Sequence, residues 1–358
     1  MTRLNLLKSL KLLGLIIFLL VSLGGPPLAW AQKTRIVKDS LGREVAIPQV
    51  VTKVAPVIPA FCQVAEMLTR GDGRVVAFPT AGISDYFRKV FPDLAISNPK
   101  GLDSRSIEDL IASETQVVYG PTAMMLSDTQ KAQLAAAGIA VVEVNGLATV
   151  EALSQSFLII GQILGEVESQ RAQEFVRYYH GNIAQAARLA SPIPPEERLR
   201  ALFLYGQSSG YRTINFNDIS HHYLTAAGGV NVAADYLAKT PQMGGVVDAE
   251  TILSWEPEII FTSSLNDRQE VLADRALAET PAVKNGRVYA IPKGIFVWYA
   301  RSAEGAMLPL WLGTKLYPDL FKEVDMFEVV RKYFADFYNY QIPDSELREV
   351  LNLTEGEN

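Results

Sequence analysis

The sequence predicts an α/β protein of two lobes, each built on a parallel-rich central sheet, with one long α-helix joining them. Three observations predict it. Short apolar runs rich in β-branched residues alternate with helical patterns in both halves of the chain, as in parallel sheets flanked by helices. Between Thr149 and Ala190 that alternation stops, and two helical patterns follow each other with no strand signal. Finally, 358 residues with 49% hydrophobic and 20% charged side chains are enough for two domains, each with its own core.

Residues 1–31 are expected to be a secretory signal peptide and not part of the fold. Arg3, Lys8 and Lys11 make the positive start, an apolar run covers 12–23, and Ala29-Trp30-Ala31 supplies the small-x-small pattern for cutting after Ala31. A run of that length spans about 18 Å as a helix, against the ~30 Å hydrocarbon core that a membrane anchor must cross. The mature protein is therefore expected to be exported, to a periplasmic location. No cysteine follows the run to carry a lipid.

The first lobe is expected over 32–165. Asp39-Ser40-Leu41-Gly42 reads as a turn between two β-prone runs, and Pro48 ends the second. A strand at 52–56 leads into a helix at 60–69. Further strands are expected at 74–78, 116–120 and 140–144, with helices at 106–113 and 128–137. A helix at 151–164 ends at Gly165, and the linking helix covers 166–190. Its apolar positions Ala172, Phe175, Val176, Tyr179, Ile183, Ala186 and Ala187 recur at helical spacing. Gly181 weakens that helix by about 1 kcal/mol relative to Ala. Ser191-Pro192-Ile193-Pro194-Pro195 stops it. The second lobe, with C-terminal helices, is expected over 191–358. Its strands fall at 199–205, 259–262 and 287–291, and its helices at 219–227, 249–254 and 303–317. Two more helical pieces follow Phe321, broken near Ile342-Pro343. A single crossing helix implies a stiff hinge and a shallow, largely preformed cleft.

Composition excludes more chemistry than it offers. A net charge of −6 leaves no electrostatic footprint for nucleic acid. One cysteine rules out an intramolecular disulfide, a Cys-rich zinc site and an iron–sulfur cluster, and three histidines argue against a His-built metal centre. Cys62 reads as a buried small apolar residue. The adjacent His221 and His222 point about 100° apart on a helix and cannot share one ligand face. His180 is expected to face solvent. There is no Gly-x-Ser-x-Gly elbow, no His-Glu-x-x-His pair and no phosphate loop, and Gly71-Asp72-Gly73 is a turn. No catalytic residue, resident cofactor or metal ligand is expected.

Four stretches carry a resemblance. They are Val37-Lys38-Asp39-Ser40-Leu41-Gly42-Arg43-Glu44-Val45-Ala46-Ile47-Pro48; Leu224-Thr225-Ala226-Ala227-Gly228-Gly229-Val230-Asn231-Val232-Ala233; Asp248-Ala249-Glu250-Thr251-Ile252-Leu253-Ser254-Trp255-Glu256-Pro257-Glu258-Ile259-Ile260; and Pro292-Lys293-Gly294-Ile295-Phe296-Val297-Trp298-Tyr299-Ala300-Arg301-Ser302-Ala303-Glu304-Gly305. In order, they resemble the opening hairpin, the Gly-ended helix, the Glu-opened helix and the cleft loop of periplasmic substrate-binding proteins of ABC importers for iron complexes and cobalamin. In the first lobe, Ser106 to Val118 is similar to the third stretch, but Thr115-Gln116 stands where the family shows Pro-Asp.

That resemblance implies a monomeric binding protein that captures a small metal complex and hands it to an ABC permease dimer in the inner membrane. It also implies that Glu108 and Glu250, one on each lobe, seat against arginines of the permease. Ligands of α/β sheets bind at the carboxyl ends of the strands, where rings stack on flat groups and arginine pairs with anionic charge. The candidate ligand-binding residues are Trp298, Tyr299, Arg301, Tyr211, Arg212, Phe61, Tyr86 and Tyr119. Arg301 also stands three residues before Glu304, the spacing of a structural ion pair. A ferric siderophore is the first expectation for the cargo and molybdate or tungstate the second, with haem, a corrinoid or a nickel chelate as further alternatives. A secreted α/β enzyme is the alternative of a different class.

Overall fold

The computed structural model describes residues 33–353 apart from 147, 208, 209, 238 and 240–242. The expected signal peptide and its cleavage point lie outside the described residues. An antiparallel hairpin of β1 (Thr34–Lys38) and β2 (Glu44–Pro48) comes first. Asp39 closes its turn by accepting from the backbone N–H groups of Leu41 and Arg43 and by pairing with the Arg43 guanidinium. Gly42 takes φ +79°, where an L side chain is strained.

The first lobe is centred on a parallel sheet of β3 (Val54–Pro56), β4 (Val117–Gly120) and β5 (Ala140–Glu143), in that spatial order. β3 and β4 are buried along their whole length, so they are continuous apolar runs with no alternation. Around them lie α1 (Pro59–Thr69), α2 (Asp85–Val90), α3 (Asp93–Ser97), α4 (Ile107–Ala112), α5 (Thr122–Met125), α6 (Asp128–Ala136) and α7 (Val150–Leu164). The strand expected at 74–78 is not formed. Val75 makes one parallel bridge to Val54, after which the chain swings away and Phe78 donates its N–H to Leu102. Its apolar side chains are buried against the sheet without extending it.

After α8 (Glu166–Ala190) the second lobe is a mixed sheet. β6 (Arg200–Gln207) is followed by β7 (Gly210–Ile214), α9 (Ile219–Ala226), β8 (Val230–Asn231), β9 (Gly244–Val247), α10 (Ala249–Ser254) and β10 (Ile259–Thr262). Then come α11 (Leu265–Ala273), α12 (Pro281–Lys284) and β11 (Val288–Ala290). β8, β10 and β11 run parallel with β6, whereas β7 and β9 add an antiparallel extension at its carboxyl end that sequence patterning missed. The helix expected at 303–317 starts as a 3-10 turn, Ala303–Met307, before α13 (Leu308–Leu316), because Pro309 has no N–H for the α-type ladder.

The long helix α8 packs on α7 and α1 from the first lobe and on α9 and α13 from the second. Its buried Ala172, Phe175, Tyr179 and Ala186 are among the positions the spacing selects. One apolar core runs without a break from Phe61 and Phe157 through Phe175 and Tyr179 to Tyr223 and Trp298. The last helices, α14 (Met326–Tyr338) and α15 (Asp344–Val350), return across this seam. Phe337 of α14 meets Phe175 edge-on at 5.2 Å, α14 packs on α1, and Glu346 of α15 pairs with Lys89 of α2 at 2.7 Å. The lobes are therefore joined by one covalent strut and by a second, packed connection.

Candidate functional site

The carboxyl edge of the second sheet is dominated by the loop 291–302 that follows β11. It is pinned at its start by Ile291 N–H donating to Thr262 and by Lys293 N–H donating to Val350. Trp298 is fully buried and packs in the shared core, with its indole Nε1 lacking a hydrogen-bond partner. Tyr299 is half-buried and stacks on Tyr205 of β6, centroids 4.9 Å apart. Its carbonyl accepts from the Ser220 hydroxyl at 2.8 Å.

Arg301 turns away from Glu304. Its guanidinium donates to Asp218 Oδ2 at 3.0 Å and touches the Met243 sulfur. The other Asp218 oxygen caps α9 by accepting the Ser220 N–H at 2.9 Å. One carboxylate thus fixes Arg301 relative to the start of a helix. His221 follows directly, half-buried, with Nδ1 buried and unpartnered. Burial holds its imidazole below the usual range, helped by neighbouring His222 and opposed by Asp218 and Asp235.

The antiparallel register separates Tyr211 from Arg212. Arg212 lies opposite Tyr205 and Val246, so it shares the face that carries the Tyr205–Tyr299 stack, and it is exposed. Tyr211 points to the other face, is buried in a separate apolar cluster and donates its hydroxyl to Asp274 at 2.9 Å. Adjacent strand residues cannot both face one cleft.

The first-lobe candidates are placed differently from the expectation that they line a cleft. Phe61 and Tyr119 are fully buried, and the Tyr119 hydroxyl donates to the Phe61 carbonyl at 3.2 Å. Tyr86 is half-buried against Phe334 of α14, and burial followed by the Glu346 carboxylate raises its phenol. Exposed on this lobe just past β4 are Met124 and Met125, soft side chains that sequence reasoning passed over. It also passed over Asp218 and Ser220, and it left Tyr205 out of the candidate set. Tyr205 near the end of a predicted strand was the available signal, whereas Asp218 is recognisable from sequence only as a helix cap.

Cys62 is buried and His180 is exposed with Nε2 on the Ser154 hydroxyl at 3.0 Å. Among the described residues no group of three or more His, Cys, Asp or Glu side chains is placed to hold a metal ion. Glu108 and Glu250 are both exposed, each the second residue of a short helix. Ser106 caps the first helix by accepting the Asp109 N–H at 3.2 Å, and Asp248 caps the second by accepting the Thr251 N–H at 2.7 Å.

Comparison with known proteins adds four findings. The sequence pattern of the family described as periplasmic binding protein matches residues 92–294, more than half of the chain. The molybdate-binding protein MolA of Haemophilus influenzae is 26% identical over 370 residues, covering 96% of this chain and 99% of that protein. The crystal structure of a periplasmic solute binding protein from Veillonella parvula superposes with a TM-score of 0.75 at 24% identity, covering 89% of this chain and 97% of that one. The Haemophilus influenzae MolA structure with molybdate bound gives a TM-score of 0.73 at 21% identity, covering 86% and 99%.

Proposed function

The chain belongs to the periplasmic binding protein family, and on that premise we propose that it captures a metal oxyanion of the molybdate or tungstate class and delivers it to an ABC importer. The observation that carries this reading is the Arg301–Asp218 pair at the carboxyl edge of the second sheet, with Arg301 24% and Asp218 12% exposed. A guanidinium carries five N–H donors in a fixed fork, suited to several oxygens of one small anion. The pairing with Asp218 sets its direction before cargo arrives, which lowers the ordering cost of binding. The identity to a molybdate-binding protein along nearly the whole chain supports the same cargo class.

Ferric siderophore is the second reading. Exposed Phe216 and Arg212 on the second lobe and Met124 and Met125 on the first favour it, because a bulky chelate contacts more apolar surface than an oxyanion does. Against it, Trp298, Phe61 and Tyr119 are inside the core, which leaves fewer rings for stacking.

The family name places the chain in the periplasm, and the signal peptide at residues 1–31 is part of our reading. We read the protein as a monomer whose exposed Glu108 and Glu250 dock on the permease dimer, with binding and no chemistry as its task.

Calorimetric titration with molybdate, tungstate and a ferric siderophore tests the cargo. Oxyanion binding with at least a tenfold loss in Arg301→Ala is expected, equivalent to about 1.4 kcal/mol. Siderophore binding alone would replace the first reading by the second, and unchanged oxyanion affinity in the variant would remove Arg301 from the site.

A further inference from the structure

Glu304 is the second residue of the 3-10 turn, three residues past Arg301, and its side chain is wholly buried where loop 291–302, the first lobe and α14 meet. Four donors converge on it. Gly294 and Phe296 give their N–H groups to Oε2 at 3.1 and 3.4 Å, and Ile295 gives its N–H to Oε1 at 3.0 Å. The Tyr338 hydroxyl of α14 donates to Oε1 at 3.0 Å. That hydroxyl in turn accepts from Gln63 Nε2 of α1 at 2.8 Å, and Gln63 Oε1 accepts the Ala303 N–H at 3.0 Å. Residue 294 must be glycine for this to close, since a Cβ there would lie 2.6 Å from both Glu304 oxygens.

We propose that Glu304 is the positioning residue of the ligand loop, its carboxyl gathering the loop's backbone N–H groups and tying them through Tyr338 and Gln63 to the first lobe and α14. That this loop carries cargo rests on the reading given above. A buried carboxyl is an expensive core residue, because an apolar side chain of similar size needs no desolvation or partners. What it adds is geometry. The three successive N–H groups lie in a tight loop closed by the Lys293–Val297 bridge, where Gly294 N–H also reaches the Phe296 carbonyl at 3.2 Å; one carboxyl gathers all three while fixing where Tyr299 and Arg301 emerge.

Burial raises the Glu304 carboxyl to about 7 against the pull of its four donors. The titratable groups coupled to it are Tyr333 and Tyr338 of α14 and Tyr86 of α2. A loop that opens returns the group to the ordinary range near ~4.3, so linkage makes opening easier as pH rises from about 5 to about 7, with a plateau above.

The test pairs amide hydrogen exchange of the ligand-free protein with molybdate titration, on wild type, Glu304→Gln and Tyr338→Phe. The expected result is exchange at Gly294, Ile295 and Phe296 at least tenfold faster in both variants, with the amides of β10 unchanged and molybdate affinity at least tenfold weaker. The opening constant of those three amides should rise with pH in wild type and stay flat in Glu304→Gln. If Glu304→Gln does not fold, Tyr338→Phe, which removes one hydroxyl, decides the question. Unchanged exchange at the three amides overturns the clamp. Faster exchange with unaltered molybdate affinity, in a wild type that does bind molybdate, overturns the positioning role. A wild type that binds no molybdate overturns the cargo reading, and the exchange arm then judges the clamp alone.

Discussion

Glu66, three residues before the end of α1, is buried with its Oε2 lacking a hydrogen-bond partner. Burial first, then the nearby Asp72 and Asp93 carboxylates, push its carboxyl up to about 8, with Arg74 pulling the other way. A folded-state value above the unfolded one means that folding favours the protonated form. The stabilisation is complete below the unfolded value near ~4.3 and is lost as pH rises through about 8. Glu66→Gln keeps the shape and removes the titration. Thermal melts should show it gaining on wild type by several kcal/mol (roughly 1.4 per pH unit) between pH 5 and 8. A constant difference between the two proteins over that range would refute the burial account. Single residues also mark how far sequence reaches. Large rings near strand ends were recognisable as such, but Trp298, Phe61 and Tyr119 went inward while Tyr299 stayed half-exposed.

At the level of elements, the two lobes repeat a unit whose residues are identical at only a few positions. Ser106 and Asp248 cap helices of equal length, Glu108 and Glu250 stand second in each, and Glu114 and Glu256 both take positive φ, 55° and 43°, before the following strand. The departure Thr115-Gln116 is explained here. Gln116 Oε1 accepts the Lys53 N–H at 3.1 Å, and Glu258 Oε2 accepts the Arg200 N–H at 2.8 Å, so an amide and a carboxylate perform the same backbone task. The helix pair α7 and α8 offers a prediction with opposite signs at two glycines. A Cβ on Gly161 would lie 2.8 Å from the Ala172 Cβ and 2.9 Å from the Glu168 carbonyl, so Gly161→Ala should destabilise by ~1–3 kcal/mol. Gly181 has nothing within 4 Å of that position, so Gly181→Ala should stabilise by up to ~1 kcal/mol. Denaturant titration of both variants checks the pair, and equal signs would contradict the packing described.

For the whole molecule, the continuous core and the return of α14 and α15 leave little room for wide hinge motion. Fluorescent labels on the two lobes should change separation by only a few ångström when cargo binds; a wide closure would show that the seam opens. On the docking proposal, Glu108→Ala combined with Glu250→Ala should abolish cargo uptake in cells while leaving affinity unchanged. Uptake that survives both changes would place docking elsewhere. Two charged contacts at separated points orient a partner more than they tighten it, so a transport assay is the sensitive readout.

Hydrophobic period, caps and breakers are properties of a few consecutive residues. They were enough to recognise the α/β class and the helix at Glu166–Ala190 with both its ends. Register and long-range packing depend on residues far apart in the chain. Folding therefore settled that Arg212 and Tyr211 take opposite faces, that Arg301 meets Asp218 and leaves Glu304 to the buried seam, and that α14 crosses back to the first lobe. Each of those outcomes is a choice of partner, and no local pattern specifies a partner.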